Sequence, residues 1–154
     1  MKVHIYRQKQ FLPIDLNTAW DFFSRPENLN EITPRDLKFE ICSLLPEKVY
    51  PGLMILYKVG VFKGFSFEWA TEITHVQEPQ FFVDEQREGP YKMWHHEHHF
   101  RSVYGGVEMT DIVHYKLPLG WFGNLFHGLL VKPKLRQIFD YRVEALNKKF
   151  GISK

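Results

Sequence analysis

Eight consecutive residues, Met93-Trp94-His95-His96-Glu97-His98-His99-Phe100, hold four of the chain's eight histidines. Imidazole changes charge near neutral pH and serves as acid, base, hydrogen-bond partner or metal ligand. Read as a β-strand, the segment alternates faces. Trp94, His96, His98 and Phe100 then share one face, and His95, Glu97 and His99 share the other. The first face sets two imidazoles between aromatic side chains, which suits the wall of a largely apolar pocket with a few polar groups. The second reads as a solvated strand face with no assigned role.

Two carboxylates are candidate partners for the inward imidazoles. Gly105-Gly106, between two alternating runs, signals a hairpin. Pairing about it places Asp111 opposite Phe100 or the residues just before it, within reach of His98 when both point inward. A slip of one residue would turn Asp111 outward. Asp84 and Gln86 share a face of the segment 81–87 with Phe82. A buried Asp84 needs a partner, because an unpaired buried polar group is costly; His96, His98 and Arg87 are the candidates. The same pair also reads as a rim hydrogen bond that holds the Gly89-Pro90 turn. Three chemistries are open to the cluster: a satisfied buried network, orientation of a ligand's polar end, and metal or acid–base chemistry. Two histidines two apart do not define a metal site, so no metal ligand and no cofactor are assigned.

The elements that must position these residues follow from hydrophobic period and turn chemistry. Val3 to Phe11 reads as a strand. Asp15 is a helix N-cap, and Leu16, Ala19, Trp20 and Phe23 fall at helical spacing. A second short helical piece begins near Pro26. Strands are predicted over Leu37–Leu44, Met54–Phe62, Ser66–His75, Phe81–Arg87, Tyr91–Val103 and Val107–Leu117, joined by Pro and Gly turns. From Trp121 to Phe150 the period becomes helical, with Leu135, Ile138, Phe139, Arg142, Val143 and Leu146 in the stripe. Pro133 predicts a break near Val131–Lys132. Glycines and aromatics from Trp121 to Leu130, Phe126 among them, read as a mobile entrance or as close helix–sheet contact.

Composition excludes several classes. With 154 residues, 44% hydrophobic and 16% aromatic, the chain reads as one domain, residues 1–154, able to bury a real core. A net charge of +2, from scattered basic residues, gives no case for nucleic acid. No stretch approaches a membrane span. The single cysteine, Cys42, is expected as a small buried group in a strand. One thiol and no apolar leader point to the cytoplasm. No Gly-x-Ser-x-Gly elbow, Walker loop, dinucleotide fingerprint or Cys-x-x-Cys pair occurs.

Several phrases carry a resemblance over nearly the whole chain. They are Ala19-Trp20-Asp21-Phe22-Phe23-Ser24-Arg25-Pro26-Glu27-Asn28-Leu29 with Ile32-Thr33-Pro34, and Phe82-Val83-Asp84-Glu85-Gln86. Further on come Gly89-Pro90-Tyr91, Trp94-x-His96-x-His98-x-Phe100, Met109-Thr110-Asp111 and Tyr115-x-Leu117-Pro118. With this element order, the sequence resembles the START/SRPBCC superfamily of polyketide-cyclase-like and lipid-transfer-like proteins, and within it a bacterial ligand-binding branch. The resemblance implies the α+β helix-grip fold: a curved antiparallel sheet of about seven strands, two short helices, and a long C-terminal helix over a cavity. It carries no catalytic motif, because one scaffold hosts binders, transporters and enzymes.

The expected function is binding, or transport, of a small hydrophobic or amphipathic molecule between sheet and helix. His96, His98, Asp84, Gln86 and Asp111 would orient it, with Trp69, Trp94, Phe100, Met109, Tyr115 and Phe126 as apolar wall. The alternatives are a cyclase- or dehydratase-type enzyme using His96 or His98 with Asp111, and an accessory module that docks on another protein.

Overall fold

The computed structural model describes residues 2–62, 65–118 and 127–151. Its order is β1 (His4–Leu12), α1 (Leu16–Phe23), 3-10 turns Pro26–Asn30 and Arg35–Leu37, and β2 (Glu40–Ile41). There follow β3 (Leu53–Phe62), β4 (Phe65–Gln77), β5 (Phe81–Glu88), β6 (Met93–Val103) and β7 (Gly106–Lys116). A π-helical turn, His127–Val131, then runs into α2 (Lys132–Phe150). The fold is an α+β helix grip: a seven-stranded antiparallel sheet in the order β1-β7-β6-β5-β4-β3-β2, with a long C-terminal helix.

Local chemistry explains the elements. The Asp15 carboxylate accepts hydrogen bonds from the Thr18 backbone N–H (3.0 Å) and the Thr18 hydroxyl (2.5 Å), closing the first turn of α1. Ala19, Trp20, Phe22 and Phe23 are then buried. The helical winding changes at Val131–Lys132, with Pro133 in the first turn of α2, where its missing N–H costs least. Along β7, buried and half-buried residues alternate without a break. Gly106 sits so close to β1 that any Cβ would collide with the Leu12 carbonyl oxygen, while Gly105 takes the positive φ of the turn (80°).

The strand predicted over Leu37–Leu44 is corrected: only Glu40–Ile41 pairs, with β3. Lys38 takes a left-handed conformation (φ 44°), which interrupts the extended run. Cys42 lies past the end of this short edge strand and is exposed rather than buried.

Burial divides the core into two parts. One gathers α1 residues with Leu12, Phe82, Phe100, Val107, Met109 and Leu146. The other holds Val113, Tyr115, Leu117, Leu135 and Phe139. α2 contributes to both, Leu146 to the first and Leu135 with Phe139 to the second, and Arg142 falls between them in sequence.

Candidate functional site

A partly enclosed cavity of about 560 Å³ lies between the sheet and α2. Its wall is mainly apolar and aromatic. Ile55, Tyr57, Trp69 and Trp94 come from the strands, and Leu135, Ile138 and Phe139 from α2. Tyr57, Trp69, Tyr91 and Trp94 form a connected aromatic bank, with Trp69 and Trp94 edge to face at 5.4 Å and Tyr91 4.8 Å from Trp94. Asp84, His96, His98 and Arg142 form a polar cluster in the wall, and Arg25, Asn28, Thr33, Thr71 and Lys134 also line it.

Strand register assembles this polar floor. β6 pairs His96 with Asp84 of β5 and His98 with Asp111 of β7. His96 and His98 are two apart, so their rings lie on one face, 3.7 Å between centroids. His96 Nε2 bonds Asp111 Oδ1 at 2.8 Å, and His98 Nε2 bonds Asp84 Oδ2 at 2.7 Å. His96 Nδ1 lies 3.5 Å from Asp84 Oδ2. His98 Nδ1 is 3.2 Å from Asp111 Oδ1, near enough for charge attraction but out of hydrogen-bond alignment. From α2, Arg142 Nη1 donates to Asp111 Oδ1 at 3.0 Å. Exposure is 3% for Asp111, 4% for His96 and 5% for His98.

Electrostatics follow from burial and pairing. Burial alone would raise both carboxyls. For Asp111 the Arg142 charge and the two imidazole contacts outweigh it and hold the group far below the usual carboxylate range. For Asp84 the two imidazoles do the same. His96 is pushed down by burial and by His98, against the pull of the carboxylates. His98 is opposed by burial but raised overall by its contacts with Asp111 and Asp84. The cluster sets two carboxylates against the Arg142 guanidinium and two imidazoles, and mutual pairing offsets much of the penalty of burying an isolated ion. Asp84, His96 and His98 do offer ligand atoms within 4.8 Å of one another. Two contacts in the cluster are already at hydrogen-bond length, and Arg142 brings the positive charge that a cation would otherwise supply.

The candidate residues therefore separate. Asp84, His96, His98, Trp69 and Trp94 line the cavity. Asp111 lies behind the imidazoles. Gln86 instead closes the Gly89-Pro90 turn, donating to the Tyr91 carbonyl oxygen (2.6 Å) and accepting from the Tyr91 N–H (3.2 Å). Phe100 and Met109 pack in the α1 side of the core. Tyr115 is hydrogen-bonded to His127 Nε2 at 2.6 Å. Phe126 lies outside the described residues. Arg87 pairs with Glu72 and not with Asp84. The residue that sequence reasoning gave no role is Arg142. Its signal was present: a cation at core spacing between Leu135, Phe139 and Leu146.

Comparison with known proteins supports the fold. No protein-family profile matches the chain, and no curated protein does. Solved structures with similar folds include protein CV1439 from Chromobacterium violaceum, 7% identical, TM-score 0.72, covering 97% of this chain and 98% of that one. Ginseng major latex-like protein 151 from Panax ginseng is 12% identical, TM-score 0.69, covering 96% and 97%. The nucleoside-diphosphate sugar epimerase from Corynebacterium glutamicum is 20% identical, TM-score 0.65, but the match spans 93% of this chain and only 28% of the epimerase. Among the described residues, no helix is long and apolar enough to cross a membrane.

Proposed function

We propose that the protein binds a small hydrophobic or amphipathic molecule in the cavity between sheet and α2. The observation that carries this reading is a hollow of about 560 Å³, within the range of small-molecule sites, whose mainly apolar wall includes the cluster of His96, His98, Asp84 and Arg142. Burial of the guest's apolar surface would supply affinity, at about 25 cal/mol per Å² before the costs of association. The polar end would meet His96, His98 and Asp84, which the cluster already holds in place through Asp111 and Arg142. With this reading goes membership of the START/SRPBCC superfamily, as one domain over residues 1–154, acting in the cytoplasm.

A second reading rests on the His96–Asp111 pair. A carboxylate that fixes an imidazole facing a cavity is the arrangement of a general base. Under it, His96→Ala would abolish turnover and leave affinity nearly intact; under the binding reading, affinity falls and no turnover is found.

Trp69 and Trp94 make the test direct. Titration with an amphipathic probe such as 1-anilinonaphthalene-8-sulfonate, or with medium-chain fatty acids, should change tryptophan emission in a saturable way. Ile138→Trp, which projects a larger ring into the hollow from α2, should abolish the saturable response. Saturable binding that persists in this variant would place the guest elsewhere.

A further inference from the structure

The outer face of the sheet, opposite the cavity, holds a second cluster of imidazoles and carboxylates. The β6–β7 pairing sets His114 directly across from His95, with Glu97 two residues further along β6. Glu97 Oε1 lies 3.4 Å from His95 Nε2 and 3.8 Å from His114 Nδ1. These separations are long for hydrogen bonds. They suit donor atoms arranged about one ion: with tetrahedral angles and bonds of about 2.1 Å, neighbouring ligand atoms stand about 3.4 Å apart. The three residues each offer one ligand atom, all within 4.8 Å of one another.

The surroundings fix which atoms face inward. His95 Nδ1 lies 3.0 Å from Glu85 Oε1, a contact that requires the proton on Nδ1. Nε2 is then the ring nitrogen left to face Glu97 Oε1, 3.4 Å away. Glu85 is itself 3.5 Å from Arg87 Nη1. The other Glu97 oxygen is 2.8 Å from His99 Nε2, so Oε1 is the one that faces the two imidazoles. His114 Nδ1 is shielded from solvent and makes no hydrogen bond. A carboxylate behind a histidine whose free nitrogen faces outward is how proteins orient a metal ligand.

We propose that His95 Nε2, His114 Nδ1 and Glu97 Oε1 form a site for a borderline divalent cation of the Zn²⁺ class. Imidazole nitrogen with one carboxylate oxygen matches that class better than the all-oxygen sets of Mg²⁺ or Ca²⁺. Glu85 and His99 are positioning residues. The three ligand side chains are 33%, 29% and 25% exposed for His95, His114 and Glu97, so an ion arrives from solvent and the remaining coordination position is open to water. This site does not depend on the cavity reading, because its side chains lie on the other face of the sheet.

Calorimetric titration of ZnCl₂ into the chelator-treated full chain, at slightly alkaline pH, tests it. One equivalent should bind with micromolar or tighter affinity. His114→Gln and Glu97→Gln should each weaken binding by roughly tenfold or more, while His75→Gln, an exposed histidine elsewhere, should leave it unchanged. Co²⁺ should give visible bands of tetrahedral intensity that His114→Gln removes. Circular dichroism melts establish that the variants are folded. No Zn²⁺ uptake by the wild-type chain, or uptake equal in the folded His114→Gln and Glu97→Gln variants, would overturn the assignment.

Discussion

The two faces of β6 carry similar side chains to different ends. Inside, His96 and His98 meet Asp84 and Asp111 with hydrogen bonds of 2.7 and 2.8 Å, and Arg142 donates to Asp111 at 3.0 Å. Outside, Glu97 stands 3.4 Å from His95 and 3.8 Å from His114, and all three are only half-buried. Burial makes the difference. Where water is excluded, each charge must find its partner within the protein. Where water reaches, donor atoms can stay at the spacing that an ion would bridge.

Breaking the inner set should have the largest effect on stability. Arg142→Ala leaves Asp111 with less compensation in a buried setting and should cost about 3–5 kcal/mol in urea unfolding. A loss under about 1 kcal/mol would mean that water already solvates the cluster. Replacing both partners, Asp111→Leu with Arg142→Met, should recover most of that loss, because a matched pair removed together leaves no orphan charge.

Acid should separate the faces next. The folded pKa of Asp111 is depressed by Arg142 and the two imidazoles. Its contribution is therefore complete above the unfolded value of about 3.9 and is lost as pH falls below it, toward the folded value. Asp84 is depressed in the same direction by His96 and His98. The wild-type unfolding midpoint should fall more steeply below about pH 4 than that of the Asp111→Leu, Arg142→Met double variant. Equal slopes would remove Asp111 from the account. The smallest effect belongs to the outer face: Glu97→Ala should change stability by less than about 0.5 kcal/mol without metal, and a larger loss would show that the outer contacts support the fold.

The same contrast decides what could be read from the sequence. Alternation along residues 93–100 and the Gly105-Gly106 turn set His96 and His98 on one side with Asp111 nearby, but left open a one-residue slip that turns Asp111 outward; the observed register, with Phe100 and Met109 buried, faces all three inward. Both clusters, however, take members from neighbouring strands or from the helix. His114 falls opposite His95 in the same hairpin register, but the reach of Arg142 from α2 to Asp111 depends on packing that no local pattern encodes. Residues 37–44 misled for a related reason. Their alternation is good, but an edge position and one left-handed lysine leave little for a strand to pair with. Gln86 satisfied the face pattern yet spends both polar atoms on its own turn.

The proposed binding function requires that the hollow beneath α2 hold a guest. Native mass spectrometry of wild-type and Ile138→Trp protein, purified side by side from the same cells, tests it most directly. The wild-type chain should carry a small-molecule adduct that solvent extraction releases and that the Ile138→Trp chain lacks. An adduct carried equally by both chains, or a wild-type chain that stays at its bare mass even after incubation with fatty acids and aromatic polyketides, would contradict it.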